Sequence, residues 1–227
     1  GLGARACFNL LTLSFRLVMS DESAQRSFDA GERWAALAGD ALMVGRMHQA
    51  MSVYHTEHNR FESAIGHAKE WEVGARAAAD PGVRATANWA LLGPLQSRGA
   101  LSELRRLAGL QLELTRGDPE AGVKEWGVSA QAWALVHLAT AERYDGSLAR
   151  SRSLYQQAVE VSRSIGDIEG EVVASVGLGT LGFAASDRDL TGTGLPRCIE
   201  ISNRLGDTHR AGVECWLGAH LMLSGDV

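Results

Sequence analysis

His48, His55, His58 and His67 crowd one short stretch of the chain, and imidazoles at such density are the residues here best suited to chemistry. His55 and His58 are three apart, so a helix would present both on one face or at its end, with Glu57 between them. If a facing helix supplied His67, three nitrogen donors would suffice to hold zinc. The stretch lacks the H-E-x-x-H pattern of helical zinc sites, however, and histidines at helix ends commonly line polar grooves or solvated faces. The groove is the reading adopted; a metal-binding protein or helical enzyme built on these four histidines, or on the Trp126 and Trp133 region, is the alternative.

Other chemical motifs resolve into structure. Gly177-Leu-Gly179-Thr-Leu-Gly182 spells G-x-G-x-x-G. A dinucleotide site needs that run at a strand-to-helix turn, and here it follows a run of helical periodicity. Close helix packing is the expected role. Glu169 with Glu171 and Asp187 with Asp189 fall in first helical turns, where carboxylates complement the helix dipole. No serine has nucleophile-elbow spacing, and no phosphate-binding G-x-x-x-x-G-K-[ST] run occurs. No catalytic residue, cofactor or metal is assigned, and the chain is read as a non-enzyme.

Polar residues on the first helix of each helix pair are the better binding candidates. Arg46 and Gln49, Arg84 and Asn88, Gln131 and His137, and His209 and Arg210, together with His220, are expected to project into a groove. The tryptophans Trp34, Trp71, Trp89, Trp126, Trp133 and Trp216 are spread through the chain and are expected to fill gaps between helices; Trp126 and Trp133 are the strongest candidates for ligand contact.

The elements that would position these groups are marked by repetition. Ala158-Val-Glu-Val-Ser-Arg-Ser-Ile-Gly-Asp167 and Cys198-Ile-Glu-Ile-Ser-Asn-Arg-Leu-Gly-Asp207 are near copies. Self-similarity at a period of about 40 residues marks a repeat architecture. Gly39-Asp40, Ala79-Asp80, Gly117-Asp118, Gly166-Asp167 and Gly206-Asp207 each close an apolar-periodic run. Glycine past a helix end takes the left-handed conformation freely, and aspartate next to it can cap the following helix. Asp80-Pro81 and Asp118-Pro119 add proline at the first helical position. Repeat boundaries are therefore expected near 40, 80, 118, 167 and 207.

Two helices fit between successive marks: Ala41 to Thr56 and Phe61 to Ala78, for instance, with the apolar stripe Phe61, Ala64, Ile65, Ala68, Trp71, Ala75. Ile168 to Ala185 and Leu195 to Leu205 form a later pair. The run Phe8 to Met19 is expected to be the first helix, with Ser23 to Ala38 as its partner. The longer interval from Asp118 to Asp167 predicts an ordered insertion around Pro119 to Gly127, and Pro94 is expected to kink or shorten its helix. No alternating strand pattern is found. The expectation is an all-α chain of roughly eleven helices in antiparallel pairs, forming one TPR-like α-solenoid domain over residues 1–227. Glycines within helices, Gly66, Gly74, Gly177, Gly179, Gly182 and Gly218, are expected to admit close neighbours.

Composition narrows the partners. Net charge is −5 and the basic residues are dispersed, which leaves no footprint for nucleic acid. Cys7, Cys198 and Cys215 lie far apart and fit a reducing cytoplasm. The Phe8 to Met19 run is too short and polar for a membrane span. The chain opens on Gly1 and closes on Gly225-Asp226-Val227, which resembles the Ser186-Asp187 turn inside a repeat; this predicts a fragment of a longer array.

Helix pairs ending Leu/Ile-Gly-Asp, with Leu178-Gly179 and Leu217-Gly218 inside first helices, resemble the long tetratricopeptide-like repeats of large bacterial signalling proteins. Two groups share them: class III adenylate/guanylate cyclases carrying an AAA-type ATPase module, and ATPase-containing transcriptional activators of the LuxR and maltose-activator type. Leu112 to Gly122 and Ser129 to Trp133 lean toward the cyclase group. The resemblance implies a cytoplasmic interaction or sensor scaffold. Its partner would be a protein or peptide in the concave groove, or neighbouring domains of the same polypeptide. The cyclase catalytic residues, the ATPase loop and the DNA-binding helix pair of those families are absent from this sequence, so none is carried over.

Overall fold

The computed structural model describes residues 1–14, 19–76, 78–205 and 207–225. Among the described residues every regular element is helical, and consecutive helices pack in pairs. Two compact units divide the chain, one spanning Gly1–Ala100 and the other beginning at Leu101.

The first unit holds α1 (Leu2–Thr12), α2 (Asp21–Leu37), α3 (Ala41–Glu57), α4 (Phe61–Arg76) and α5 (Pro81–Ser97). Helix α1 begins well before the apolar run that suggested it and ends at Thr12; residues 15–18 of that run lie outside the described residues. Its core joins Leu11 of α1, Ala24 and Phe28 of α2, and Met47, Ala50, Met51 and Tyr54 of α3. On α4 the predicted stripe is buried at Ala64, Ile65, Ala68, Trp71 and Ala75, while Phe61 at its start is half-buried. Trp71 seals the α3–α4 seam: a Cβ added to Gly45 of α3 would land on its ring. Pro94 lies within the last turn of α5, which continues to Ser97.

The second unit holds α6 (Leu101–Leu114), α7 (Val123–Trp126), α8 (Ala130–Tyr144), α9 (Leu148–Ile165), α10 (Ile168–Ala184), α11 (Arg188–Gly192), α12 (Leu195–Leu205) and α13 (Asp207–Ser224). Helix α10 is its hub, and the G-x-G-x-x-G run lies on it as three separate contact points. Gly177 meets Tyr155 of α9, Gly179 meets Trp216 of α13, and Gly182 meets the backbone of Leu190 and Thr191 in α11. No strand precedes the run, so it cannot cradle a pyrophosphate. Gly66, Gly74 and Gly218 behave differently from expectation: a Cβ there would meet nothing within 4 Å, because no neighbour covers those faces.

The punctuation reads largely as anticipated. Asp40, Asp80, Asp167 and Asp187 accept hydrogen bonds from the backbone N–H groups of Met43, Gly82, Gly170 and Leu190 at 3.0, 2.7, 2.8 and 2.9 Å. Each such cap contributes about 1 kcal/mol. Gly39 and Gly166 take φ of 65° and 72°, the left-handed stop. Gly206 lies outside the described residues. Asp118-Pro119 opens no long helix. Its carboxylate closes a local turn on the Glu120 N–H at 3.1 Å, and the single-turn α7 follows between left-handed Gly122 and Gly127. Ser129 caps α8 instead, its hydroxyl accepting from Ala132 N–H at 3.1 Å and donating to the Pro119 carbonyl at 2.7 Å. The insertion is thereby tied down at both ends.

Candidate functional site

A groove in the second unit has α8 as its floor and α6 and α9 as its walls, with a volume of about 340 Å³. Gln131 and Leu135, one turn apart on α8, form the floor. The α6 wall presents Leu112, Glu113 and Arg116; the α9 wall presents Gln157, Glu160 and Val161. The α9 set follows helical i, i+3, i+4 spacing and offers one continuous edge, while Arg116 stands in the turn just past the end of α6 at Leu114. Leu112, Leu135 and Val161 supply apolar surface, two amides supply paired donors and acceptors, and two carboxylates outnumber one guanidinium. That volume suits a side chain or a small organic group rather than a folded partner's core.

Two buried carboxylates tie the helices of this unit together through ion pairs. Glu142 at the end of α8, with a side chain only 9% exposed, lies 3.5 Å from Arg105 Nε of α6 and 3.7 Å from Arg150 Nε of α9. Arg105 also reaches Asp145 at 2.6 Å and donates to the Ala141 carbonyl at 3.1 Å, closing the C-terminus of α8. Glu171 of α10, 5% exposed, pairs with Arg163 of α9 at 2.8 Å and Arg197 of α12 at 3.6 Å. A buried carboxylate with two cationic partners on different helices fixes helix register, and removing both partners would leave its charge uncompensated. Glu171 is therefore more than the dipole complement its position suggested.

Of the residues singled out in the sequence, Gln131 reaches this groove. Gln49 is 1% exposed and donates to the Thr86 carbonyl of α5 at 3.4 Å. Asn88 and His137 are buried, and burial pushes His137 down to about 4. Arg46 and Arg84 are half-buried in the first unit. Arg210 is exposed and pairs with Glu214 of its own helix at 2.7 Å. The side chain of His209 lies outside the described residues. Trp133 sits beside His137, ring centres 6.0 Å apart, on α8. Trp71 and Trp216 are core residues, and Trp34 is 45% exposed with its ring over Gly3.

The four histidines of the first unit do converge, as two sub-clusters. His48 Nδ1 and His67 Nδ1 face each other at 2.9 Å, with Phe28 edge-on to both rings at 5.1 and 5.2 Å. His55 stacks on His67 at 5.4 Å. Burial, then the charges of His48 and His55, push His67 down to about 4, and burial also lowers His55. His58 belongs to a different knot. Its Nδ1 donates to the Tyr54 carbonyl at 2.7 Å, beside the Tyr54 hydroxyl that donates to Asp21 at 2.5 Å. Arg60 grips the same carboxylate at 2.7 and 3.0 Å, and these two partners hold Asp21 down to about 2. Among the described residues, no group of three or more His, Cys, Asp or Glu side chains is arranged to hold a metal ion. None of the described helices is long and apolar enough to cross a membrane.

No protein-family model matches the chain, and no curated protein sequence matches it.

Proposed function

We propose that this chain is a non-enzymatic helical-repeat scaffold that binds a peptide segment of a partner in the α6–α8–α9 groove. The consecutive pairing of helices inside each unit, with Gly-Asp punctuation between pairs, supports a TPR-like solenoid, the architecture in which repeats present surfaces to partners. The observation that carries the reading is the groove floor. Gln131 lies where first-helix polar residues were expected to line a binding face, and Gln157 joins it from α9. A primary amide offers one donor edge and one acceptor edge, the complement of a peptide group. Leu112, Leu135 and Val161 seat an apolar side chain, while Glu113 and Glu160 favour a flanking cation. In this reading the chain belongs to a cytoplasmic signalling protein related to the cyclase or transcription-regulator groups, and groove occupancy is passed on through the helix register fixed at Glu142.

A display library of random short peptides, selected on the purified chain, tests this. Selected peptides should carry an apolar residue beside Lys or Arg. Gln131→Ala and Glu160→Lys should each weaken them by about tenfold or more, a loss of about 1.4 kcal/mol, with unchanged circular dichroism. Selected peptides that bind both variants as well as the parent chain would refute the assignment of the groove.

A further inference from the structure

The facing imidazoles of His48 and His67 join two helices through a single proton position. Two ring nitrogens at 2.9 Å hold one proton between them, since one must donate and the other accept. On its far side His48 turns Nε2 toward the Glu32 carboxylate of α2 at 3.4 Å. A carboxylate favours a proton on the nitrogen it faces, so His48 carries its proton on Nε2 and accepts at Nδ1. His67 is then the Nδ1–H donor. The chain of contacts runs from α4 through α3 to α2, with Phe28 edge-on to both rings, a side chain that contributes no compensating hydrogen bond. On the other side of His67 lies the His55 ring, whose own Nδ1 is buried without a hydrogen-bond partner among the described residues.

We propose that His48 and His67 form an acid-released latch: the pair fastens α3 to α4 while the facing nitrogens hold one proton, and a second proton forces the helices apart. The couple accommodates one added proton, because one ring can then donate through Nδ1 while the other accepts there with its own proton on Nε2. A second leaves two N–H groups pointing at each other between two positive rings. Charge complementarity supports this order of events. Of the elements packed against α3 and α4, α2 brings Glu32 to His48 and Asp21 to Arg60. Helix α1 carries Arg5 and Cys7, and α5 carries Arg84 as its ionisable residue. The Cys7 thiol is pushed up by burial and stays neutral throughout the acid range. No carboxylate of the first unit other than Glu32 is paired with the histidine couple among the described contacts, so a second charge on it lacks a counterion. His67, held down to about 4 by burial and by its two histidine neighbours, takes the second proton last.

The seam the latch closes has a built-in reporter. Trp71 of α4 is 1% exposed and lies against Gly45 of α3, within the same helix pair. Long-range proton–nitrogen NMR on the whole chain near neutral pH should find the His67 proton on Nδ1 and the His48 proton on Nε2. On acidification the Trp71 indole resonance should move with a midpoint near pH 4, the value at which His67 titrates. The transition should vanish in His67→Leu and in His48→Leu, each checked for native circular dichroism at neutral pH, and should persist in His137→Leu, which removes the buried imidazole of the second unit. Protons on Nε2 of both rings at neutral pH would overturn the proposal without any variant. A Trp71 signal unmoved by acid would also overturn it, as would a transition that survives both latch variants or disappears with His137.

Discussion

Replacing Gly179 by alanine sets two forces against each other, and the structure decides which wins. On helix propensity alone the change gains about 1 kcal/mol. The new Cβ would land on Nε1, Cε2 and Cδ1 of the Trp216 indole, atoms at the centre of the packing between α10 and α13. Trp216 is 3% exposed and its Nε1–H donates to the Thr191 carbonyl, so the ring has no slack. Displacing it forfeits that hydrogen bond, about 1 kcal/mol net, and adds about 1–3 kcal/mol of overpacking strain. The net expectation is a loss of about 1–3 kcal/mol, larger for Gly179→Val, which adds two more methyl groups and a poorer helix former. Gly74→Ala on α4 is the matched control. Nothing lies within 4 Å of its new Cβ, so only the propensity term acts and stability should rise by about 0.5–1 kcal/mol. Urea unfolding followed by circular dichroism, compared at constant slope, measures both. Opposite signs are required: a Gly179→Ala chain as stable as the parent, or the two variants shifting together, would refute the close approach at Trp216.

Two further outcomes follow from single side chains. Asp167 receives two backbone N–H groups, Gly170 at 2.8 Å and Ser129 at 2.9 Å, so Asp167→Ala should cost about 2–4 kcal/mol in denaturant unfolding, against about 1 kcal/mol for Asp187→Ala, which loses a cap alone. Burial lowers His137 from 6.5 to about 4, so the unfolded chain binds its proton first, and stability must fall as pH drops from 6.5 toward 4. This contribution is about 3 kcal/mol, and His137→Leu should remove it, making the fall in melting temperature over that window shallower while the part due to His67 and His55 remains; an unchanged pH profile would show that His137 is not buried as a neutral ring.

Legibility in the sequence followed the range of the forces involved. Asp40, Asp80 and Asp167 were readable as caps because a cap needs only its own chain within three residues. Asp118 misled for the same reason: Asp-Pro is equally a turn, and the choice rested on Ser129 finding the Pro119 carbonyl across the insertion. Gly177, Gly179 and Gly182 announced close contacts, yet Gly66 and Gly74 carry the same local pattern and have open space beside them. The groove was harder still. Gln131 was marked in advance, but Gln157, Glu160 and Val161 of α9 were not, although Glu160 and Val161 lie within the repeated stretch Ala158 to Asp167.

The residues that start and stop helices, and the apolar stripe that must be buried, were determined by the sequence itself, because helix capping and amphipathicity act over one or two turns. Tertiary structure alone decided which helix faces meet. Gln49 and Gln131 are both first-helix glutamines; one is spent inside on the Thr86 carbonyl and the other opens onto a groove, since burial depends on neighbours far along the chain. The same holds for His48 and His67, which lie on different helices and become a coupled pair only because α3 and α4 pack with Gly45 beneath Trp71.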